Sequence, residues 1–242
     1  MARSRDTDGY DLPPGRVLAG KYEVLTLLGK GWEGEVYEVR EVRTGIERAA
    51  KIFFHERNPR GRALLRYAHK LNKLKACPVV IQYHHHDTAW VRGRKVEFVV
   101  SDYVEGEMLS TFIAQQPGKR LRSFEALHVL HALALGVEPI HHMGEYHGDI
   151  HSDNIIIRRS GVGFDVKLLD FFDLGAPTRE KIQTDVFDLV YTLYEMVGGS
   201  ERYAKAGPEI RQIVKGLKQS LIRRRFRTAG ELRQGLENLR WE

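Results

Sequence analysis

The sequence predicts an α+β fold in which a sheet-rich first part precedes a helix-rich remainder. Three observations lead there. Apolar and polar residues alternate over much of residues 19–104, the period of strands with one buried face. After Gly106 the apolar spacing lengthens to that of amphipathic helices. The 242 residues suffice for a sizeable core, in one large domain or in two parts. The chain accordingly divides into a flexible leader over 1–18, a sheet with one helix over 19–104, and a mainly helical part over 105–242.

Residues 1–18 carry Arg, Asp, Gly and the pair Pro13-Pro14 without periodicity, the composition of a mobile or loosely docked leader. "KYEVLTLL" and "GEVYEVREV" alternate, and "RAAKIFF" follows the turn-like "RTGIE", giving an antiparallel meander. From Arg60 to Lys75, Leu64, Leu65, Ala68, Leu71 and Leu74 recur at helical spacing, and Pro78 stops that helix. "VVIQYHHH" and "KVEFVVSDYV" are two further strands around a loop at Arg92-Gly93. A helix at about 107–115 precedes a long one opening at Ser123 as N-cap, with Pro139 kinking or shortening its last turn. Two short strands follow, "NIIIRR" and "DVKLLD". A helix capped by Thr184 or Asp185 carries Val186, Leu189, Val190, Leu193, Met196 and Val197 as its buried stripe and ends at Gly198-Gly199. "PEIRQIVKGLKQSLI", opening with Pro208, and "TAGELRQGLENL" read as the last two helices.

Composition excludes several classes. Charged residues make up 29% and hydrophobic ones 42%, ordinary for a globular protein. A net charge of +6 is the balance of 38 basic and 32 acidic residues, so no nucleic-acid partner is expected. The basic clusters "GKRLR" and "RRRFR" read as solvated helix or loop ends. No apolar run approaches the roughly 18 residues that span a bilayer, and "MARSRDTDGY" has no apolar signal core. With a single cysteine, Cys77, no internal disulfide is available, which agrees with a reducing, cytoplasmic setting. His84, His86, His141 and His142 lack the cysteine pair or third ligand of a zinc site and read as satisfied or solvated side chains.

Two stretches carry chemistry. "LLGKGWEGEVYEV" places Gly29, Gly31 and Gly34 between the first two strands, where glycine lets backbone N–H groups approach phosphate oxygens. The strand–turn–strand setting argues against a dinucleotide-binding strand–turn–helix. "HGDIHSDN", residues 147–154, suits a bound cation, a polar turn or a proton-transfer loop, and its own spacing leaves the three open.

Taken in order, "GKGWEGEV", Ala49-x-Lys51 on the third strand, "HGDIHSDN" and "LLDFFD" resemble the signature set of the protein kinase superfamily. "LAGKYEVLTLLGKG" resembles the entry to bacterial serine/threonine kinases, and the likeness runs over about residues 18–240. It implies a bilobal protein-kinase-like fold, with an antiparallel N-lobe sheet bearing one helix and a mainly helical C-lobe. It also implies ATP as phosphate donor, Mg²⁺, and a protein or small-molecule hydroxyl as acceptor. By that resemblance Gly29, Lys30, Gly31, Gly34, Val36 and Ala49 line the nucleotide, and Lys51 meets its α- and β-phosphates. Asp102 and Val104 offer backbone groups to adenine behind a small Ser101, and Glu107 reaches toward the ribose. Asp149 takes the catalytic aspartate's place, and Asn154 and Asp170 those of the two Mg²⁺ ligands. Asp185 and His147 would brace the catalytic loop.

The chain departs from that pattern in places. Gly148 replaces the arginine that meets an activation-loop phosphate, and His151 replaces the usual lysine two residues after the aspartate, as in aminoglycoside-phosphotransferase-like enzymes. Tyr67 or Ala68 stands where a helix glutamate should pair with Lys51, so that Lys51 would use Glu56 or Asp170 or be left poorly positioned. Phe172 replaces the glycine of the metal-binding turn, stiffening it. The segment between Asp170 and Asp185 is short. Three readings result: a reduced serine/threonine protein kinase, a small-molecule kinase, and a nucleotide-binding pseudokinase.

Overall fold

The computed structural model describes residues 9–171 and 175–239. They divide into two units: the chain up to Lys75 with Ile81–Val104, and Ala76–Val80 with Glu105 onward. The expectation for Phe172, and that for the leader over residues 1–8, lie outside the described residues.

In the first unit, strands β1 (Val17–Leu18), β2 (Tyr22–Lys30), β3 (Gly34–Glu41), β4 (Glu47–Phe53), β5 (Tyr83–Val91) and β6 (Arg94–Asp102) form one six-stranded sheet ordered β1-β2-β3-β4-β6-β5. All its pairs are antiparallel. Strand alternation sorts the side chains onto two faces. Tyr37, Val39, Ala50, Ile52, Phe98 and Val100 pack with Leu18 and Val24 on one. Phe53 and Val99 point to the other, where they meet Ala63 and Leu64 of helix α1 (Arg62–Lys73). Each Val, Leu, Ile or Phe among them taken out of water contributes roughly 1.5–3 kcal/mol. The sheet curls until its ends approach: Arg16 Nη2 donates to Trp90 O at 2.9 Å, Lys21 pairs with Asp87 at 2.8 Å, and the Tyr22 hydroxyl meets His85 Nε2 at 3.0 Å.

Helix α1 starts two residues later than its apolar spacing predicts, because Arg60 (φ 58°) and Gly61 (φ 69°) are left-handed. Asn58 organises that start. Its Oδ1 accepts from Ala63 N at 3.0 Å and Leu64 N at 3.2 Å, two of the helix's orphan donors, while its amide donates to Glu97 at 2.7 Å. The leader expected over 1–18 needs correcting from Gly9 onward. Gly15 N donates to Val24 O and Val24 N to Arg16 O, both at 2.8 Å, and Leu18 is fully buried. The docking uses long-range backbone bonds that local composition does not reveal. A second correction concerns "VVIQYHHH". Strand β5 begins only at Tyr83, because Val79 O accepts from Leu168 N at 2.9 Å and Val80 bridges Leu168, placing both with the second unit.

The second unit holds a three-stranded sheet of β7 (Glu107–Met108), β8 (Ile155–Ser160) and β9 (Gly163–Leu168), in that order. Its helices are α2 (Leu109–Gln115), α3 (Ser123–His142), α4 (Arg179–Met196), α5 (Gly199–Arg202), α6 (Pro208–Val214), α7 (Gln219–Arg225) and α8 (Ala229–Glu237). Leu130, Leu133, Ala134 and Val137 of α3 and Val186, Leu189, Val190 and Leu193 of α4 are buried, so these two helices form the centre of the unit's core. Among the described residues no helix is long and apolar enough to cross a membrane.

Four local expectations are corrected here. Arg122, not Ser123, is the N-cap of α3, and its side chain makes no capping bond. Pro139 leaves the helix unbroken to His142; the carbonyl it deprives of a donor belongs to Leu135, on the exposed side. Helix α4 opens at Arg179, capped by Thr178, whose hydroxyl accepts from Lys181 N. The long helix expected after Pro208 breaks at Lys215, Gly216 and Leu217, all left-handed, into α6 and α7.

Candidate active site

The chemistry-bearing residues of the first unit share one sheet face. Register pairs Gly29 with Val36, Val36 with Lys51, and Glu38 with Ala49 and, through it, Ser101. Directly opposite residues, and residues two apart on a strand, point the same way, so Val36, Ala49, Lys51 and Ser101 lie together. Of the three glycines, packing requires only Gly34: a Cβ there would lie 2.0 Å from Ile52 O. A Cβ on Gly29 or Gly31 would meet nothing within 4 Å. Lys30 turns its ammonium toward Glu35, 3.5 Å away.

Lys51 is nearly buried, and its Nζ lies 3.0 Å from Glu33 Oε2. The Tyr67 ring sits 4.6 Å from the same nitrogen. Tyr67 thus occupies the place where a helix carboxylate was missed, and Glu33 of the glycine loop provides the charge. Glu56, expected as a candidate partner, stands instead 3.9 Å from Arg94. Glu33 was passed over because it reads as a spacer between glycines; the missing acid on α1 was the signal that a partner had to come from elsewhere.

Behind the loop, Glu35 is fully buried. Its Oε2 accepts from the Tyr37 hydroxyl at 2.5 Å and from Tyr10 N at 3.0 Å. Tyr37 Oη in turn accepts from Leu12 N at 3.1 Å, and the Tyr10 hydroxyl donates to Phe53 O at 2.8 Å. Burial first, then the Glu35 contact, holds the Tyr37 phenol well above its ordinary value. Burial, then the charges of Glu56 and Glu35, pushes Tyr10 up to about 12. At the end of β6, Asp102 N donates to Gln82 O at 3.0 Å, so what Asp102 can offer a ligand from its backbone is its carbonyl. Its carboxylate is held by His84 at 2.7 Å and Arg48 at 3.2 Å.

In the second unit the loop His147–Asn154 is built around Asp185 of α4. Asp185 Oδ2 accepts from His147 N at 2.7 Å and Oδ1 from Gly148 N at 2.8 Å. His141 Nε2 lies 3.2 Å from Asp185, while its Nδ1 accepts from Ala229 N, so the neutral Nε2–H ring satisfies both neighbours. The same logic fixes His147: its Nδ1 accepts from Asp149 N and its Nε2–H donates to Leu169 O at 2.8 Å. Gly148 has φ 91°, a conformation glycine adopts without penalty.

Asp149 points out of this frame with about half its side chain exposed. The Asn154 amide donates to Asp149 O and Oδ2, each at 3.0 Å, and His151 Nε2 stands 3.5 Å from the same carboxylate. Asn154 O accepts from Leu169 N at 2.8 Å, which brings the neighbouring Asp170 to the loop. Asp170 itself has φ 49°, an uncommon and strained conformation for a residue with a Cβ. Asp149, Asn154 and Asp170 are therefore gathered at one end of the β8–β9 hairpin. Beneath them burial, then the charges of Asp185 and Asp149, raises the Asp188 carboxyl to about 7. Asp188 was missed because its only sequence signal is an acid inside the apolar stripe of α4.

Residues 22–212 match the protein kinase domain family. Over 161 residues the chain is 31% identical to serine/threonine-protein kinase pkn2 of Myxococcus xanthus, covering 66% of this chain and 19% of that protein. Over 173 residues it is 32% identical to CBL-interacting protein kinase 29 of Oryza sativa subsp. japonica, covering 67% of this chain and 37% of that one. It therefore spans well under half the length of these relatives. Among solved structures, the PknI kinase domain of Mycobacterium tuberculosis superposes with a TM-score of 0.66 at 21% identity, over 93% of this chain and 98% of that one. At that identity the likeness speaks for the fold.

Proposed function

We propose, because the chain belongs to the protein kinase family, that it transfers the γ-phosphoryl group of ATP to a serine or threonine hydroxyl of a protein, with Mg²⁺ as the required cation. The observation that carries this reading is Asp149, exposed yet fixed by Asn154 on a loop that buried Asp185 braces. Phosphoryl transfer asks the protein mainly for positioning, charge neutralisation and an acceptor for the hydroxyl proton.

Asp149 is the group that orients the acceptor hydroxyl and takes its proton. Lys51 is a compact point charge for the α- and β-phosphates. Gly29, Lys30, Gly31 and Gly34 bring their backbone to the phosphates, and the open space around Gly29 and Gly31 supports an approach there. Val36 and Ala49 pack on the adenine, with Asp102 O and the Val104 backbone as its polar partners. Asn154 and Asp170 would hold Mg²⁺, which when bound neutralises charge on the phosphates. One carboxylate and one amide oxygen are too few to cage a cation alone, but they fit a hard ion that keeps waters and phosphate oxygens.

A small-molecule acceptor is the second reading. Its support is the early start of α4 at Arg179, which leaves a short connection from Asp170 on which to lay out a peptide. Against the pseudokinase reading stands the carboxylate of Glu33, 3.0 Å from Lys51, although α1 itself offers no acid. We place the protein in the cytoplasm and expect no membrane or nucleic-acid partner. The test is incubation with γ-labelled ATP and Mg²⁺, alone and with generic protein or small hydroxyl acceptors. Label on protein supports the proposal, label on a small acceptor moves it to the second reading, and no label on either sinks both.

A further inference from the structure

Helix α1 reads RALLRYAHKLNK and has no acidic side chain, so it offers Lys51 no counter-charge. The carboxylate found on Lys51 comes from the β2–β3 loop, where Glu33 Oε2 lies 3.0 Å from Nζ. On the helix side, the Tyr67 ring lies 4.6 Å from the ammonium. The loop tip that carries Glu33 is itself anchored. Glu33 O accepts from Phe54 N at 2.9 Å, Gly31 N donates to Gly34 O at 2.9 Å, and the Arg57 guanidinium lies 3.8 Å from the Trp32 ring centroid. Two backbone bonds and a cation–π contact thus set where the Glu33 side chain starts, independently of its own rotamer.

From this geometry we infer that Glu33 is the positioning residue of Lys51, the loop supplying the anionic partner that the helix lacks. The inference rests on the function proposed above. An ammonium has three donors, so Lys51 can keep Glu33 and still give an N–H to a phosphate oxygen. Glu33 fixes its direction, and Tyr67 keeps water from the helix side. The Glu33 contact requires the loop to be down on the end of β4, where Phe54 N donates to Glu33 O.

The test compares wild type, Glu33→Gln, and Glu33→Gln combined with Tyr67→Glu, which returns a carboxylate from the helix. Glu33 is partly exposed, so the glutamine variant should fold. The first readout needs no nucleotide: the rate at which an amine-reactive ester acylates Lys51, followed by peptide mass spectrometry. Loss of the carboxylate should raise it about threefold or more, and the helix carboxylate should bring it back. The second is ATP-dependent transfer, in which kcat should fall about tenfold in Glu33→Gln with a smaller rise in KM, and recover in the double variant. Equal Lys51 reactivity in wild type and Glu33→Gln overturns the inference, as does tighter nucleotide binding by Glu33→Gln, which would make Glu33 a plug. A wild type that transfers nothing defeats the proposed function, while the acylation rates still decide whether Glu33 holds Lys51.

Discussion

Asp185, sealed inside α4, takes the backbone N–H of Gly148 on one carboxylate oxygen and that of His147 on the other, at 2.8 and 2.7 Å. Both bonds are charge-assisted, and each is worth about 1.5–3 kcal/mol. Asp185→Asn keeps the size but turns an NH₂ toward one of those donors. The variant is expected to lose roughly 3 kcal/mol of stability, read from urea unfolding. It should also lose at least about tenfold in transfer, because the loop carrying Asp149 is no longer held to within the tolerance of the reaction. Unchanged stability would mean that the loop is fixed by other contacts.

Asp149→Asn separates chemistry from binding. The side chain is half-exposed and its firm partner among the described residues is the Asn154 amide, so the fold should tolerate the change. If Asp149 acts on the acceptor hydroxyl, kcat should fall by about 10²–10⁴ while nucleotide affinity stays within about twofold. Calorimetry of ATP binding with Mg²⁺, alongside single-turnover transfer, reads both. Equal transfer by wild type and variant would remove Asp149 from the mechanism.

The three glycines between β2 and β3 should not behave alike. Gly34→Ala drives a methyl to 2.0 Å from Ile52 O, backbone against backbone, so strands β3 and β4 must separate. A loss of about 2–3 kcal/mol in stability is expected. Gly31→Ala meets nothing within 4 Å, so its melting temperature should stay near wild type. Its cost, if phosphates approach there, appears as weaker nucleotide binding.

What the sequence made legible divides along physical lines. The glycine loop, Lys51, and the run from His147 to Asn154 stood out because their chemistry is written in local residue types and order. Glu33 did not, since its role comes from a helix that lacks an acid elsewhere in the chain. "VVIQYHHH" reads as one strand by composition, but Val79 and Val80 are drawn off by Leu168, a contact nearly ninety positions away. The Thr178 cap was missed because Thr184 is an equally good capping residue and local rules cannot rank them. The break after Val214 was signalled by Gly216 and lost to an otherwise continuous apolar period. Arg225 Nη1 then bonds Gln212 O at 2.7 Å across the turn.

Residues 10–12 are held to the sheet through a buried acid. Tyr37→Phe removes the O–H that Glu35 receives at 2.5 Å and the oxygen that Leu12 N donates to. It leaves a carboxylate with no exposure short of a donor, at a cost of roughly 2–3 kcal/mol. The segment that precedes β1 should detach with it. Limited proteolysis is expected to cut between residues 9 and 16 in the variant and to spare that stretch in wild type. Protection that survives the substitution would place the anchor in the β1–β2 pairing instead.

Asp188 gives the fold a pH dependence with a definite sign. Its carboxyl rises from an ordinary 3.8 to about 7, by burial first and then by the charges of Asp185 and Asp149. Because the folded value exceeds the unfolded one, the native state keeps a proton that the unfolded chain has already released. Between those two values stability must fall as pH rises, and above about 7 the loss is complete. The native protein then carries a third negative charge beneath Asp149. Asp188→Asn holds a neutral side chain of the same shape at every pH. Its melting temperature should exceed that of wild type at pH 8, and the gap should close toward the acid side. Thermal melts of both proteins across that window check this. A gap that is constant with pH would show that Asp188 is already ionised in the folded state, and that α4 tolerates the charge.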